Sequence, residues 1–386
     1  MIPPTNRFKC SNWMVIVGAI FALGYTIIFF SMLFGKSSEY SDIVETELAE
    51  INYDNNFLKK QISEKDSEIK RLMKLLGDKA GAIPEPEAAV HNPNDNAVRP
   101  GVIILGMHRS GTSVLGGLMN KMGLKTGGPL IAPAQDNEKG FFERVDVVLQ
   151  NDEFMQKQGV HYAYSTFKYD AMAAVKDMMT GQVKFKEGER GLAFLNEPSN
   201  APWMLKDPRL CITIRTWIPL LSAIPAVVFT YRHPLDVALS MHKRETEHFK
   251  VARGLKMWYV YNRRAIEQTH DLCRVTTSHR KVMSQAEIEL ERIYTELHQC
   301  GVAVPHMVEK SDINSFIDIK LQHGRSTLKD TSCGGDISTL TPPESWPTTD
   351  NEHVSLYREC MRVYCALEDG TALKPSFEWD RSIRDN

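Results

Sequence analysis

The chain contains 386 residues, of which 24% are charged, and its 46 basic and 48 acidic side chains give a net charge of −2. This near-neutral balance excludes a protein that binds nucleic acid through a general excess of positive charge. With 24 glycines and 19 prolines, the composition is that of a folded protein and not of a collagen-like or wholly disordered one.

Residues 13–34 are predicted to form a membrane span. This segment contains no charged residue, and at about 1.5 Å per residue it gives a helix of about 33 Å, enough to cross a bilayer. A cleaved signal peptide is the alternative, but its apolar core usually has only about 7–15 residues and ends in small side chains. Arg7 and Lys9 precede the span and acidic residues follow it. The positive-inside rule therefore predicts a cytosolic tail at 1–12 and a lumenal remainder.

The cysteines fit a lumenal protein. Cys10 precedes the predicted span, and the other six follow it: Cys211, Cys273, Cys300, Cys333, Cys360 and Cys365. An oxidising compartment allows one to three disulfides among these six, and the spacing does not determine the pairing. Cys211 also fits an unpaired residue of the core.

Residues 40–76 are predicted to form a coiled-coil stem. A heptad frame places these residues at its two seam positions: Leu48, Asn55, Ile62, Ile69 and Leu76; and Ile51, Leu58, Lys65 and Leu72. Asn55 in the seam favours two parallel strands, so the stem predicts a parallel homodimer. A single solvated amphipathic helix is the alternative. Residues 77–99 lack periodicity and read as a linker to a folded domain at 100–386.

The folded domain opens with a predicted phosphate-binding loop. An apolar strand at Val102–Leu105 leads into Gly106–Ser113, and a periodic apolar helix follows at Val114–Met122. Glycines in such a turn let backbone N–H groups converge on an anion at the start of the helix. Nucleotide hydrolases have a lysine where this loop has Thr112, and the nearest cation here is Arg109. The loop therefore suits a donor such as a phosphosulfate better than a triphosphate.

The loop sequence GMHRSGTS resembles the 5′-phosphosulfate-binding loop of the sulfotransferases that use 3′-phosphoadenosine 5′-phosphosulfate (PAPS). The resemblance implies that PAPS is the co-substrate, without a metal. It also implies cofactor contacts from these residues: Gly106, His108, Arg109, Ser110, Gly111, Thr112 and Ser113.

A second segment resembles the 3′-phosphate motif of the same family. A buried strand at Ala226–Tyr231 ends in Arg232, and Ser240 lies on the helix that follows Pro234. By this resemblance Arg232 binds the 3′-phosphate as a two-pronged donor and Ser240 donates its hydroxyl. Taken alone, the segment also fits an ordinary strand–helix junction.

Two further segments supply candidates for catalysis. Asn137–Glu143 is similar to an N-x-K-G-aromatic-aromatic-E pattern of many bacterial-type and Golgi sulfotransferases, and its aromatic neighbours predict a partly desolvated Glu143 that acts as general base. A surface carboxylate at the start of a helix is the alternative for Glu143. The other candidates for the base are Asp136, Glu138 and His108.

The second catalytic segment, Trp203–Arg209, resembles a family strand that ends in K-D-P-R. Lys206 is predicted to polarise the bridging oxygen or the acceptor, beside the loop cation Arg109. Arg209 either binds an acidic substrate or forms an internal ion pair with Asp207.

Together these features predict an α/β fold with a P-loop type parallel sheet flanked by helices, preceded by a transmembrane helix and a coiled-coil stem. They imply a single-pass type II Golgi sulfotransferase. It would transfer a sulfuryl group in line and without a metal to a lumenal hydroxyl, most plausibly of a carbohydrate, and would have no nucleic-acid partner. The alternatives are a P-loop kinase or NTPase and a non-catalytic glycan-binding scaffold.

Overall fold

The computed structural model describes residues 97–134, 137–245, 249–317 and 333–385. The predicted cytosolic tail, membrane span and coiled-coil stem lie outside these ranges, as does the linker up to residue 96. Within the described ranges, no helix combines the length and the apolar character that a bilayer span requires.

A sheet of four parallel strands forms the centre of the fold. The strands are β1 Gly101–Leu105, β2 Trp203–Lys206, β3 Ala226–Tyr231 and β4 Arg274–Ser278, in the spatial order β2-β1-β3-β4. Every residue of β1, β2 and β3 is buried. Parallel sheets are covered on both faces, which is why the central strands are continuous apolar runs.

Helices connect and cover the strands. In chain order the α-helices of the described residues are α1 Thr112–Lys121, α2 Val145–Lys157, α3 Ala171–Met179, α4 Glu189–Asn196, α5 Leu210–Trp217, α6 Pro234–Glu245, α7 Val251–Glu267, α8 His279–Ser284, α9 Ala286–Gln299, α10 Lys310–Phe316 and α11 Asn351–Glu368.

The sheet separates two hydrophobic cores. Successive side chains of a strand point to opposite faces, so Ile103 and Leu105 of β1 face one core while Val102 and Ile104 face the other. Helices α5, α7 and α11 contribute to the first core, and α1 and α9 contribute to the second. The predicted α/β class with a parallel sheet flanked by helices is therefore confirmed for this part of the chain.

The folded part begins slightly before the predicted boundary. Arg99 is buried, its backbone N–H donates to the carbonyl of Gly301 at 2.9 Å, and it forms a parallel bridge with Val302. Arg99 therefore already packs against the folded domain, one residue before the predicted boundary.

Four of the six cysteines after the predicted span form two disulfides. Cys273 is bonded to Cys300 and Cys333 to Cys365, while Cys211 and Cys360 are buried thiols. The number of bonds lies within the predicted range. Cys211 is the unpaired core residue that the sequence also allowed.

Candidate active site at the carboxyl edge of the sheet

All four strands lead into polar residues at one edge of the sheet. β1 runs into the loop at Gly106, β2 ends at Lys206, and β3 and β4 are followed directly by Arg232 and His279. Because the strands are parallel, their carboxyl ends share this edge, which is where ligands of open α/β sheets bind.

The loop between β1 and α1 has the backbone shape that its sequence predicts. Arg109 and Gly111 adopt φ angles of 67° and 86°, in the left-handed region. A Cβ atom at Gly106 would lie 2.5 Å from the carbonyl oxygen of Thr230, so no larger residue fits there without a shift. The N–H of Gly106 donates to the Sγ of Cys211 at 3.2 Å, which ties the start of the loop to α5.

The end of this loop fits an anion. Helix α1 has no side-chain cap at its N-terminus. The buried Oγ of Ser110 has no hydrogen-bond partner in the described part of the chain. An unmet hydroxyl beside uncapped N–H groups is the donor set that a phosphate requires. The residues present therefore fit the 5′ end of the predicted co-substrate.

The two predicted anion-binding segments touch each other. The Nε of Arg109 donates to the Oγ of Ser240 at 2.9 Å, and Nη1 of Arg232 donates to the carbonyl of Arg109 at 3.3 Å. Asp236 lies 3.5 Å from the Nε of Arg232, and the indole of Trp258 donates to the Arg232 carbonyl at 2.9 Å. Burial lowers the pKa of Arg232, and Asp236 opposes that shift. Arg109, Arg232 and Ser240 thus form one cluster.

Lys206 and Glu143 form a buried ion pair beside the same loop. Their Nζ and Oε1 atoms are 2.5 Å apart, and the side chains are only 2% and 9% exposed. Lys206 also donates to the Oγ of Ser113 at 3.2 Å and to the carbonyl of Phe141 at 3.1 Å. The alternative of a surface carboxylate at Glu143 is therefore wrong. The burial of Glu143 was predicted, but its partner was not.

The other candidates for the base have different surroundings. Glu138 is exposed, and Asp136 lies outside the described residues. The ring of His108 contacts those of Tyr162 and Tyr261, at centroid distances of 5.1 and 5.8 Å.

His108 is held neutral by its surroundings. Burial lowers its pKa well below the usual value, and the positive charges of Arg209, Lys206, Arg244 and Arg109 act in the same direction. Its Nε2 is buried and has no hydrogen-bond partner in the described ranges. The imidazole is therefore a buried, neutral group of the loop that packs against Tyr162 and Tyr261.

Arg209 forms the internal ion pair that was one of its two predicted roles. Its Nη1 lies 3.0 Å from Asp207, which is fully buried, and its Nε lies 2.7 Å from Asp152. Asn151 donates to the other oxygen of Asp207 at 2.8 Å. These contacts hold the turn that follows Lys206.

His279 also lies at this edge of the sheet, although no motif in the sequence indicated it. This residue starts α8, and a Cβ atom at Gly111 would lie 2.5 Å from its Cδ2. Burial, assisted by the charge of Arg232, lowers the pKa of His279 to about 3. The sequence signal for His279 was weak, because the preceding strand β4 is short, has three hydroxyl side chains and matches no motif.

No protein-family model matches the sequence, and no curated protein is significantly similar to it. Among solved structures, the chain is similar to the sulfotransferase domain of the olefin synthase from Synechococcus PCC 7002, with 15% identity, a TM-score of 0.37, and coverage of 72% of this chain and 97% of that one.

Two further solved structures are similar to the chain. Retinol dehydratase, in complex with androsterone and the inactive cofactor PAP, has 14% identity, a TM-score of 0.30, and coverage of 58% of this chain and 66% of that one. The sulfotransferase STF1 of Mycobacterium tuberculosis H37Rv has 13% identity, a TM-score of 0.29, and coverage of 57% and 71%.

Proposed function

We propose that this protein transfers a sulfuryl group from PAPS to a hydroxyl of a carbohydrate. The observation that carries the proposal is the contact between Arg109 and Ser240, which lie 131 positions apart and join the two predicted anion-binding segments. Arg232 reinforces this contact by donating to the Arg109 carbonyl. A single nucleotide with anionic groups at both its 5′ and 3′ positions accounts for both segments in one cluster.

The residues divide between the two ends of this co-substrate. The loop from Gly106 to Ser113 would hold the 5′-phosphosulfate through backbone N–H groups and the hydroxyl of Ser110. Arg232 and Ser240 would hold the 3′-phosphate. When bound, PAPS supplies an activated sulfuryl group on a phosphate leaving group.

The ion pair supplies the proton chemistry. Glu143 takes the proton of the acceptor hydroxyl as general base. Lys206 fixes that carboxylate through its 2.5 Å contact and, being 3.2 Å from Ser113, stands beside the loop where negative charge develops. Arg109 adds a second fixed positive charge. Preorganised donors of this kind stabilise developing charge without reorganising during the reaction.

The disulfides support a lumenal setting. Disulfides form and persist in oxidising compartments, and the described part of the chain contains the pairs Cys273–Cys300 and Cys333–Cys365. We propose a single-pass type II protein of the Golgi membrane, with residues 13–34 as its anchor and residues 40–76 as the dimerising stem.

A transfer assay tests the proposed reaction. The full-length protein in a mild detergent is incubated with radiolabelled PAPS, a panel of glycans and EDTA. We expect label in a glycan product. At a PAPS concentration below saturation, Arg232→Ala should reduce the labelling, and Arg190→Ala, at an exposed residue of α4, should leave it unchanged. In a parallel reaction with radiolabelled ATP and Mg²⁺ in place of PAPS and EDTA, transfer of label would support the kinase alternative. Glycan binding without any transfer would support the non-catalytic one.

A further inference from the structure

Phe142 has a strained backbone immediately before the proposed general base. Its φ angle is 57°, in the left-handed region that glycine adopts freely and other residues rarely adopt. For a residue with a bulky side chain this conformation is unfavourable, and it persists only where the surrounding structure holds it. The contacts around Phe142 must therefore stabilise a conformation that the residue alone would avoid.

The turn at Phe142 brings its two neighbours to one ammonium group. The Nζ of Lys206 donates to the carbonyl of Phe141 at 3.1 Å and to the Oε1 of Glu143 at 2.5 Å. An extended residue between them would carry the chain straight on, whereas a residue with positive φ turns it, as in tight turns. The backbone conformation of Phe142 therefore decides that the Phe141 carbonyl and the Glu143 carboxylate both reach Lys206.

Hydrogen bonds fix the chain after Phe142 but do not fix Phe142 itself. The carbonyl of Glu143 accepts from the N–H of Ile131 at 2.8 Å, and the N–H of Val145 donates to the carbonyl of Pro129 at 2.9 Å. Within the described residues, the N–H and the carbonyl of Phe142 take part in no hydrogen bond. The packing of its side chain is therefore what holds the strained conformation.

The side chain of Phe142 packs against α1 and α10. A Cβ atom at Gly116 would lie 3.4 Å from the Cβ of Phe142, so the side chain lies directly on the backbone of α1. The ring centre of Phe142 is 6.0 Å from that of Phe316, the last residue of α10. A Cβ atom at Gly117 would overlap the ring of Phe316. Two successive glycines of α1 thus make room for two aromatic rings that contact each other.

Lys139 adds a second contact between the same loop and α10. Its Nζ donates to the carbonyl of Ser315 and lies 5.7 Å from the ring centre of Phe316. The loop that carries Glu143 is therefore joined to α10 at two points, one on each side of the glycine at position 140.

We propose that Phe142 is a positioning residue for catalysis. Its left-handed backbone directs the Glu143 carboxylate to Lys206, and the contact of its ring with Phe316 maintains that backbone. The inference rests on the proposed function, in which Glu143 takes the proton of the acceptor hydroxyl. In this role Phe142 and Phe316 act through Glu143 alone. A base works only within hydrogen-bond reach of its proton, so a displaced Glu143 should lower kcat and leave the KM for PAPS nearly unchanged.

A double-mutant cycle on the full-length protein in detergent tests this role. Phe142→Gly retains a backbone that adopts positive φ but lacks the ring, so kcat for sulfuryl transfer should fall about 10- to 100-fold, with the KM for PAPS within about twofold. In a Glu143→Gln background the same substitution should lower kcat by less than about twofold, because the base is already absent. An equal loss in both backgrounds would overturn the positioning role, since a general structural defect acts in either background.

Phe316→Ala removes the other ring without changing the loop. It should lower kcat about 2- to 10-fold and add little to the effect of Phe142→Gly, because the two substitutions remove the same contact. Phe377→Ala removes a half-buried ring that packs on Trp379, and as the matched control it should keep the wild-type kcat. Losses from Phe142→Gly and Phe316→Ala that multiply in the double variant would overturn the coupling between the two rings.

The reactivity of Lys206 distinguishes this inference from the proposed function, because it needs no transfer reaction. Lys206 is 2% exposed in its pair with Glu143, so acetic anhydride should acetylate it slowly, as measured by mass spectrometry. Phe142→Gly and Phe316→Ala should raise that rate about 2- to 10-fold, and Phe377→Ala should not.

The two failures then differ. If the wild type transfers sulfuryl groups and needs Glu143, but Phe142→Gly changes neither kcat nor the acetylation of Lys206, the positioning role is wrong and the proposed function stands. If the acetylation rates change as expected in a protein that transfers no sulfuryl group, the proposed function is wrong, and the placement of Glu143 by Phe142 stands.

Discussion

At the scale of single residues, the contact between Lys206 and Glu143 decides what each can do. A buried charge without a partner is costly, and the loss of one member of a buried pair costs about 3–5 kcal/mol. Lys206 and Glu143 are therefore expected to depend on each other for the local fold as well as for catalysis. The catalytic role has to be tested with a substitution that keeps the shape and a hydrogen-bonding oxygen.

Glu143→Gln meets this condition. The amide retains an oxygen that can accept from Lys206 but cannot take a proton, so kcat should fall by about 10²- to 10⁴-fold. The affinity for adenosine 3′,5′-bisphosphate should stay within about twofold of the wild type. Glu138→Gln, at an exposed glutamate, is the control and should keep full activity. A Glu143→Gln enzyme with normal kcat would eliminate the base role.

Arg232→Ala tests the proposed 3′-phosphate site. The arginine contributes about 1.5–3 kcal/mol of charged hydrogen bonding, so the Kd for adenosine 3′,5′-bisphosphate should rise about 10- to 100-fold. Titration calorimetry measures this directly, and Arg190→Ala provides a matched loss of one positive charge. An unchanged Kd would contradict the role given to Arg232.

At the scale of the elements, the junction of β4 and α8 has a specific pH dependence. Burial holds the pKa of His279 at about 3 in the folded state, against an ordinary value near 6.5. At a pH between these two pKa values, His279 binds a proton in the unfolded chain but not in the folded one. The free energy of unfolding contributed by neutral His279 is therefore complete above about pH 6.5 and is lost progressively as the pH falls toward 3.

Removal of the His279 imidazole should make the free energy of unfolding less dependent on pH. Between pH 7 and pH 4, the free energy of unfolding of His279→Asn should fall by about 1–3 kcal/mol less than that of the wild type. The variant lacks the imidazole that takes up a proton when the wild-type chain unfolds. Urea unfolding at several pH values measures the difference. His270→Asn, at an exposed histidine, is the control and should follow the wild-type curve. Parallel curves for His279→Asn and the wild type would show that the imidazole is not held neutral.

The strands and helices also show which sequence patterns were sufficient to predict their positions. The strand at Ala226–Tyr231 has the bounds that its apolar run predicted, and β1 begins one residue earlier than expected. Pro234 opens α6, since its missing N–H is not needed in a first turn. Strand β4 carries polar side chains and pairs with the edge of β3 that faces away from β1. Its sequence alone does not predict a strand, and only its pairing with β3 shows that it is one.

At the scale of the whole molecule, the stem predicts a parallel homodimer. Sedimentation of a fragment from residue 37 at micromolar concentration should give a dimer, because the heptad seam buries apolar side chains only when two chains pair. A fragment from residue 77, which lacks the stem, is the control and should give a monomer. A monomeric fragment from residue 37 would remove the basis for the dimer.

The sequence by itself determined the α/β class, the glycine-bracketed loop at Gly106–Ser113 between β1 and α1, and the strand–helix junction at Arg232, because each depends on contiguous residues with local backbone preferences. Only the tertiary structure decided that Glu143 pairs with Lys206, that Arg209 is an internal partner of Asp207, and that His279 packs on Gly111. These contacts join residues that are distant in the chain or paired by geometry. They form because parallel strands bring their carboxyl ends to one edge, which no local pattern specifies.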